Sequence, residues 1–265
     1  MAERPAPSPL FDFDGSRPAL IEPSEQFAER DLPTACVITF LGDAVQRLIA
    51  SGRARVVSEN VWEDGPHPLL EMEHDGQRVA ILAVGVGAPL ASALFEETIA
   101  MGCRVFVACG GAGVLRKDLT LGHLIVVESA VRDEGTSHHY LPSGRYIETD
   151  RRSRILLQSY LAYEGIPFVA GRVWTTDAIY RETAAKIQQR RQEGCIAVDM
   201  EASALTAVAR FRDVPLAYLL YGGDDLSGEN WDHRGWQSQE EIRDGIVLTA
   251  ASAALRLASA VDPAM

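Results

Sequence analysis

Asp199 and Glu201 flank Met200 where the apolar run Cys195-Ile196-Ala197-Val198 passes directly into an alanine-rich helical segment. An ionised carboxylate buried at such a junction is costly unless it accepts hydrogen bonds from backbone amides, side chains or ligand hydroxyls. Two chemistries suit the pair. Either the acids complement the positive end of the following helix, or Glu201, an acceptor-only group with two oxygens, takes the vicinal hydroxyls of a sugar. A second acidic pair, Asp224-Asp225, follows the apolar run Leu216 to Leu220 and Gly222-Gly223. One of these carboxyl groups at the mouth of a crevice is a candidate general acid; the alternative is a cap for whatever follows. Trp231, His233 and Trp236 come next, as a lid or as inert packing.

These residues need a frame. Ala35 to Leu41 is a short apolar run closed by Gly42-Asp43 and followed by the helical pattern Val45, Leu48, Ile49. The same strand, turn and helix order recurs at Val79 to Val84 before Gly85-Val86-Gly87, at Val105 to Cys109 before Gly110-Gly111, at Ile196 to Val198, and at Leu216 to Leu220. Strands apolar on both faces and alternating with helices predict an α/β fold. We expect a single-domain three-layer sandwich whose central sheet is mixed but mostly parallel and flanked by helices. Leu69 to Met72 pairs with Arg78 to Leu82 as a meander, and a last helix runs from about Glu240 to Ala260. Ligands of open α/β sheets sit outside the carboxyl ends of the strands, so one crevice lined by glycines and carboxylates is predicted there.

Composition narrows the partners. The net charge is −12 and the isoelectric point about 5.0, which argues against nucleic acid or an anionic membrane as partner. No apolar run approaches the roughly 18 residues that span a bilayer, and no secretory leader pattern opens the chain. Arg151-Arg152-Ser153-Arg154 and Arg190-Arg191 read as solvated helix faces. Cys36, Cys103, Cys109 and Cys195 show no C-x-x-C spacing, so reduced buried thiols in a cytoplasmic protein are expected. Residues 1–32, rich in proline, are read as an extended arm, and 33–260 as one domain.

Two tempting motifs fail on spacing. Gly85-Val86-Gly87 lacks the third glycine of a dinucleotide fingerprint, and the next strand ends without an acidic residue for a ribose. His138-His139, in the polar run Arg132 to Tyr140, has no third ligand at a metal spacing, so no metal is expected. That run is read instead as a polar loop over the cleft or at a subunit contact.

Taken in order, Gly42-Asp43, Gly85-Val86-Gly87-Ala88-Pro89, Gly110-Gly111-Ala112-Gly113, Val131 to Ser137, Thr176-Asp177-Ala178-Ile179-Tyr180 and Val198-Asp199-Met200-Glu201-Ala202 resemble the nucleoside phosphorylase superfamily, in its uridine phosphorylase-like branch. The likeness spans about residues 33 to 258. It implies cleavage of a nucleoside's N-glycosidic bond with phosphate as co-substrate, no other cofactor, and a homo-oligomer, dimeric or hexameric. It also implies that Met200 and Glu201 hold the ribose, that Thr175, Thr176 and Ile179 wall the base, that Gly42, Gly110 and Gly111 cradle phosphate, and that Asp224 or Asp225 protonates the leaving base.

The chain departs from that pattern at the phosphate. Gln46 stands where the resemblance places one arginine, Ala108 where it places another, and Gly111 where it places a threonine. A glycine-rich backbone only partly replaces an arginine fork. Arg47, Arg132 or a partner subunit's arginine would then supply the cation. Three readings follow: a phosphorylase, a hydrolytic nucleosidase on the same scaffold, and a non-catalytic nucleoside-binding protein. Purine and pyrimidine nucleosides both remain open as substrates.

Overall fold

The computed structural model describes residues 8–261, so the first seven residues of the expected arm lie outside the described residues. The elements are α1 (Pro23–Gln26), β1 (Ala35–Thr39), α2 (Gly42–Ala50), β2 (Ala54–Trp62), β3 (Gly65–His74), β4 (Gln77–Ala83), α3 (Ala88–Met101), β5 (Val105–Val114) and β6 (Leu124–Asp133). They continue as α4 (Ser137–Tyr140), β7 (Tyr146–Glu148), α5 (Arg151–Tyr163), β8 (Phe168–Thr176), α6 (Ala184–Gln192), β9 (Cys195–Asp199), α7 (Ala202–Phe211), β10 (Leu216–Asp225) and α8 (Glu240–Val261). Residues 8–32 contain a 3-10 turn at Pro9–Phe11 and α1, and are tied to the rest by Arg30 N–H to Met101 O and by the pairs Glu29–Arg104 and Glu22–Arg212.

The sheet has ten strands in the order β10-β6-β8-β9-β5-β1-β4-β3-β2, with β7 added beside β6. It is mixed, as the alternating pattern predicts: β1–β4, β1–β5, β5–β10, β6–β8 and β8–β9 are parallel and the other five pairings antiparallel. The expected meander is present, with Leu69 opposite Leu82 and Met72 opposite Val79. Because β10 also pairs with β5, the strands β5-β10-β6-β8-β9 close into a ring. The glycines make that curl possible. Gly110, Gly111, Gly222 and Gly223, read from sequence as turns after strands, lie inside β5 and β10, and β10 bulges between Gly222 and Asp225. A Cβ on Gly222 would meet Val114 of β5 at 2.9 Å, and one on Gly113 would meet Val198 of β9 at 3.0 Å, so side chains there would press on the neighbouring strands.

Helices cover both faces. One core packs Leu94 and Phe95 of α3 and Leu205 and Val208 of α7 against Phe106 and Tyr218. The other packs Leu48 of α2, Leu157 and Leu161 of α5 and Ile246, Val247 and Leu257 of α8 against Val37, Ile81 and Leu219. All four cysteines are buried and free.

Two sequence expectations need correction. Helix α8 spans 22 residues with a mean hydropathy of 1.4 in its most apolar window, long and apolar enough to cross a membrane by length and composition alone. No simple apolar run shows it, because Arg243, Asp244 and Arg256 interrupt the alanines and leucines; here the helix packs on β1 and β5. Arg190 is not on a solvated face. It is buried over the Trp174 ring and paired with Asp133 and Glu193, whereas Arg191 is exposed.

Candidate active site

A cavity of about 230 Å³ opens at the carboxyl ends of β1, β5, β9 and β10, where the alternating pattern predicts one. Phe40 and Leu41 enter it after β1, Val86 after β4, Gly111 to Gly113 from β5, Ile179 and Glu182 after β8, and Val198 to Glu201 from β9. Gly223, Asp224, Leu226, Trp236 and Arg243 complete the wall. A larger cavity, about 480 Å³, lies beside the starts of α5 and β10 and contains none of the glycine stretches or acidic pairs.

The acidic junction divides its labour. Asp199 accepts from the amides of Glu201 (3.2 Å) and Ala202 (2.7 Å) and from Thr175 Oγ1 (2.7 Å), so it closes the start of α7. Glu201, 5% exposed, accepts a single protein hydrogen bond among the described residues, from Gly87 N–H at 2.6 Å to Oε1. Glu201 and Met200 both line the cavity. Burial, then the nearby Asp199 charge, push the Glu201 carboxyl up to about 8. Asp199 thus meets the helix-start reading, while Glu201 stands at the cavity with one protein donor on its carboxylate.

Gly87 sits at φ 113°, ψ 138°, with open space where a Cβ would lie. Backbone strain alone forbids other residues there, at about 1–3 kcal/mol. Gly87→Ala is expected to lower the melting temperature and to weaken ligand binding in the cavity together, because relief of the strain turns the 87 amide away from Glu201. Thermal unfolding and calorimetric titration check this; unchanged affinity would mean that the amide does not position Glu201.

At the opposite side, Asp224 lines the cavity and its Oδ2 accepts from Trp231 Nε1 at 2.7 Å. Asp225, by contrast, is not among the residues that line the cavity. It accepts from Ser227 N–H (2.6 Å) and Arg234 and pairs its backbone with Asp232, outside the cavity, because the strand alternates sides between neighbours. The aromatic loop is not inert: Trp231 positions Asp224, and Trp236 forms wall. Of the expected base wall, Ile179 reaches the cavity. Thr175 and Thr176 do not; both are buried, the first between Asp199 and Ser203 N–H and the second under Ala178 N–H.

The phosphate expectations fare differently. Gly111 lines the cavity, but Gly42 opens α2 outside it, and Gly110 is buried against Phe40. Arg47 points away, held by Asp43 (2.9 Å) and Asp244 (2.7 Å). Arg132 spends its donors on Ser137 Oγ and on the carbonyls of Ser137, Leu141 and Pro142. Sequence reasoning missed Arg243, the one cation among the cavity residues. It is 7% exposed, donates to Asp43 and to Tyr221 Oη (3.0 Å), and lies 5.6 Å from the Trp236 ring centroid. Its signal was an arginine in the first turn of the last helix, among Glu240, Glu241 and Asp244. Glu182 was missed as well, lying past the quoted motif.

The sequence model of the Phosphorylase superfamily matches residues 34–261. A guanosine phosphorylase of Halorubrum lacusprofundi is 27% identical over 185 residues, 70% of this chain and 76% of that protein. In overall structure, a uridine phosphorylase from Vibrio fischeri superposes with a TM-score of 0.72 at 24% identity, covering 89% of this chain and 98% of the other. A purine nucleoside phosphorylase from Toxoplasma gondii gives 0.71 at 20% identity, covering 86% and 93%. With the ring-closed mixed sheet, the glycine-floored cavity and a family match over nearly all described residues, the chain belongs to the phosphorylase superfamily.

Proposed function

We propose that the protein cleaves the N-glycosidic bond of a purine nucleoside with phosphate, releasing free base and ribose 1-phosphate. The observation that carries this reading is one cavity holding both an under-bonded carboxylate, Glu201, and a second carboxyl group, Asp224, that faces it from another strand end. Glu201 takes the ribose hydroxyls. As the bond from the anomeric carbon to the base breaks, negative charge nearby stabilises the oxocarbenium-like sugar, Asp224 gives its proton to the departing base, and a phosphate oxygen bonds to the anomeric carbon. A base that leaves with a ring nitrogen to protonate fits an acid at Asp224, which favours purines, and the guanosine phosphorylase relative supports the same class.

Arg243 is the cation among the cavity residues, which also include Gly111. Its hydrogen bonds hold Asp43 well below the usual carboxylate range. A second reading, hydrolysis, is favoured by the charge count: Glu182, Asp199, Glu201 and Asp224 face one arginine already paired with Asp43. Water as nucleophile needs no anion pocket. Purine nucleosides incubated with and without phosphate, with base and ribose 1-phosphate separated by chromatography, decide between the two. Phosphorolysis predicts ribose 1-phosphate and at least tenfold slower cleavage without phosphate. It also predicts that Arg243→Gln raises KM for phosphate more than KM for nucleoside; equal rates in both buffers would establish hydrolysis.

A further inference from the structure

Glu182 closes the 3-10 turn Ile179–Arg181 that follows β8, and it lines the cavity with Ile179 and Asp224. It is half-buried, and among the described residues no group donates a hydrogen bond to its carboxylate. The other cavity acids are each engaged: Asp199 by the α7 amides, Glu201 by Gly87, Asp224 by Trp231. Glu182 has instead a neighbouring negative group and a desolvated position. Both push its carboxyl up, burial first and Asp224 second, to about 7. A wall group so placed is disfavoured in the empty cavity and satisfied only by donors that a ligand brings.

The ligand's orientation follows from the two ends of the site. If Glu201 and Met200 hold the sugar, the base extends toward Ile179, Glu182 and Asp224. With Asp224 at the imidazole side of a purine, a carboxylate beside it meets the six-membered ring. There its ionised form, which only accepts, selects N–H donors and repels bare ring nitrogens and carbonyls. We infer that Glu182 is a specificity-determining residue, which accepts N–H hydrogen bonds from the six-membered ring of an amino-bearing purine. This inference rests on the nucleoside reading of the cavity and adds the class of base to it. Adenine would offer its 6-amino group; guanine would offer N1–H and its 2-amino group as a forked pair.

Calorimetric titration tests it without requiring turnover. Adenosine, guanosine and purine riboside, which lacks exocyclic donors, are titrated into the wild-type protein, Glu182→Gln and Glu182→Ala. The wild type is expected to bind adenosine or guanosine at least tenfold more tightly than purine riboside, the preferred one identifying the donor set. Glu182→Ala should abolish that preference while holding purine riboside within about threefold, as expected when charge-assisted hydrogen bonds are removed from donor-bearing ligands only. Glu182→Gln, which keeps one acceptor oxygen, should fall between. Melting temperatures should not drop, since the carboxylate has no protein partner to lose. Equal weakening of all three ligands, or a wild type with no preference, overturns the assignment and leaves the nucleoside site standing. Failure of the wild type to bind any nucleoside overturns the functional reading itself.

Discussion

Glu201→Ala is expected to lower kcat/KM for ribonucleoside cleavage by at least about 100-fold, since two sugar hydroxyls lose hydrogen bonds to a charged acceptor, each worth about 1.5–3 kcal/mol. The loss should be smaller for the 2′-deoxynucleoside, which has one hydroxyl fewer to lose. Equal losses for both would point to a collapsed junction rather than a sugar clamp, because Gly87 N–H is also left without its partner. The same carboxyl sets a pH dependence. Only the ionised form accepts two O–H bonds, and the free protein holds Glu201 up to about 8. The rise of kcat/KM with pH should therefore extend well above the ordinary carboxylate range.

Stability moves in the opposite sense. The folded value lies above the ordinary 4.5, so the contribution of Glu201 to stability is complete below 4.5 and is lost as pH rises through about 8. Glu201→Gln, neutral at every pH, should flatten the fall in melting temperature across that window. If the wild type shows no fall there that the variant lacks, Glu201 is not the buried titrating group.

Asp224→Asn should cost about 100- to 10,000-fold in kcat, the usual range for a general acid, with the largest effect on nucleosides whose bases leave poorly. The Trp231 hydrogen bond to Oδ2 has an oxygen to accept it in the variant, so the geometry survives and the proton is what goes missing. Asp225→Asn should behave differently. It weakens the contacts to Ser227 and Arg234 that shape the loop, and is expected to lower the melting temperature with no dependence on the leaving group. If Asp225→Asn shows the leaving-group dependence instead, the acid is assigned to the wrong member of the pair.

How much of this was legible follows from the range of the interactions. The acidic junction could be read directly: Asp199 and Glu201 stand where a buried strand meets a helix, and local geometry alone gives one of them the helix amides. Strand and helix positions were likewise local, since β3 opposite β4 and α3 after Gly87 follow from apolar runs and turn residues. The glycine stretches were seen, but as turns. Their role inside β5 and β10 depends on ring closure, which pairs residues about a hundred positions apart and leaves no periodic trace. Arg47 looked like the replacement cation because it is one residue from the expected place. One step along a helix turns a side chain by about 100°, and that rotation puts it on Asp244 instead.

The sequence by itself therefore determined the α/β alternation, the carboxyl-end crevice and the acidic pair at the junction of β9 and α7, all set by burial patterns and short-range hydrogen bonding. Only the tertiary structure decided which charges share the cavity. Arg243 arrives from the last helix and Glu182 from a turn after β8, while Arg47, Arg132, Thr175 and Asp225 turn elsewhere. Long-range packing fixes those directions, and a carboxylate's or guanidinium's function depends on which partner it meets.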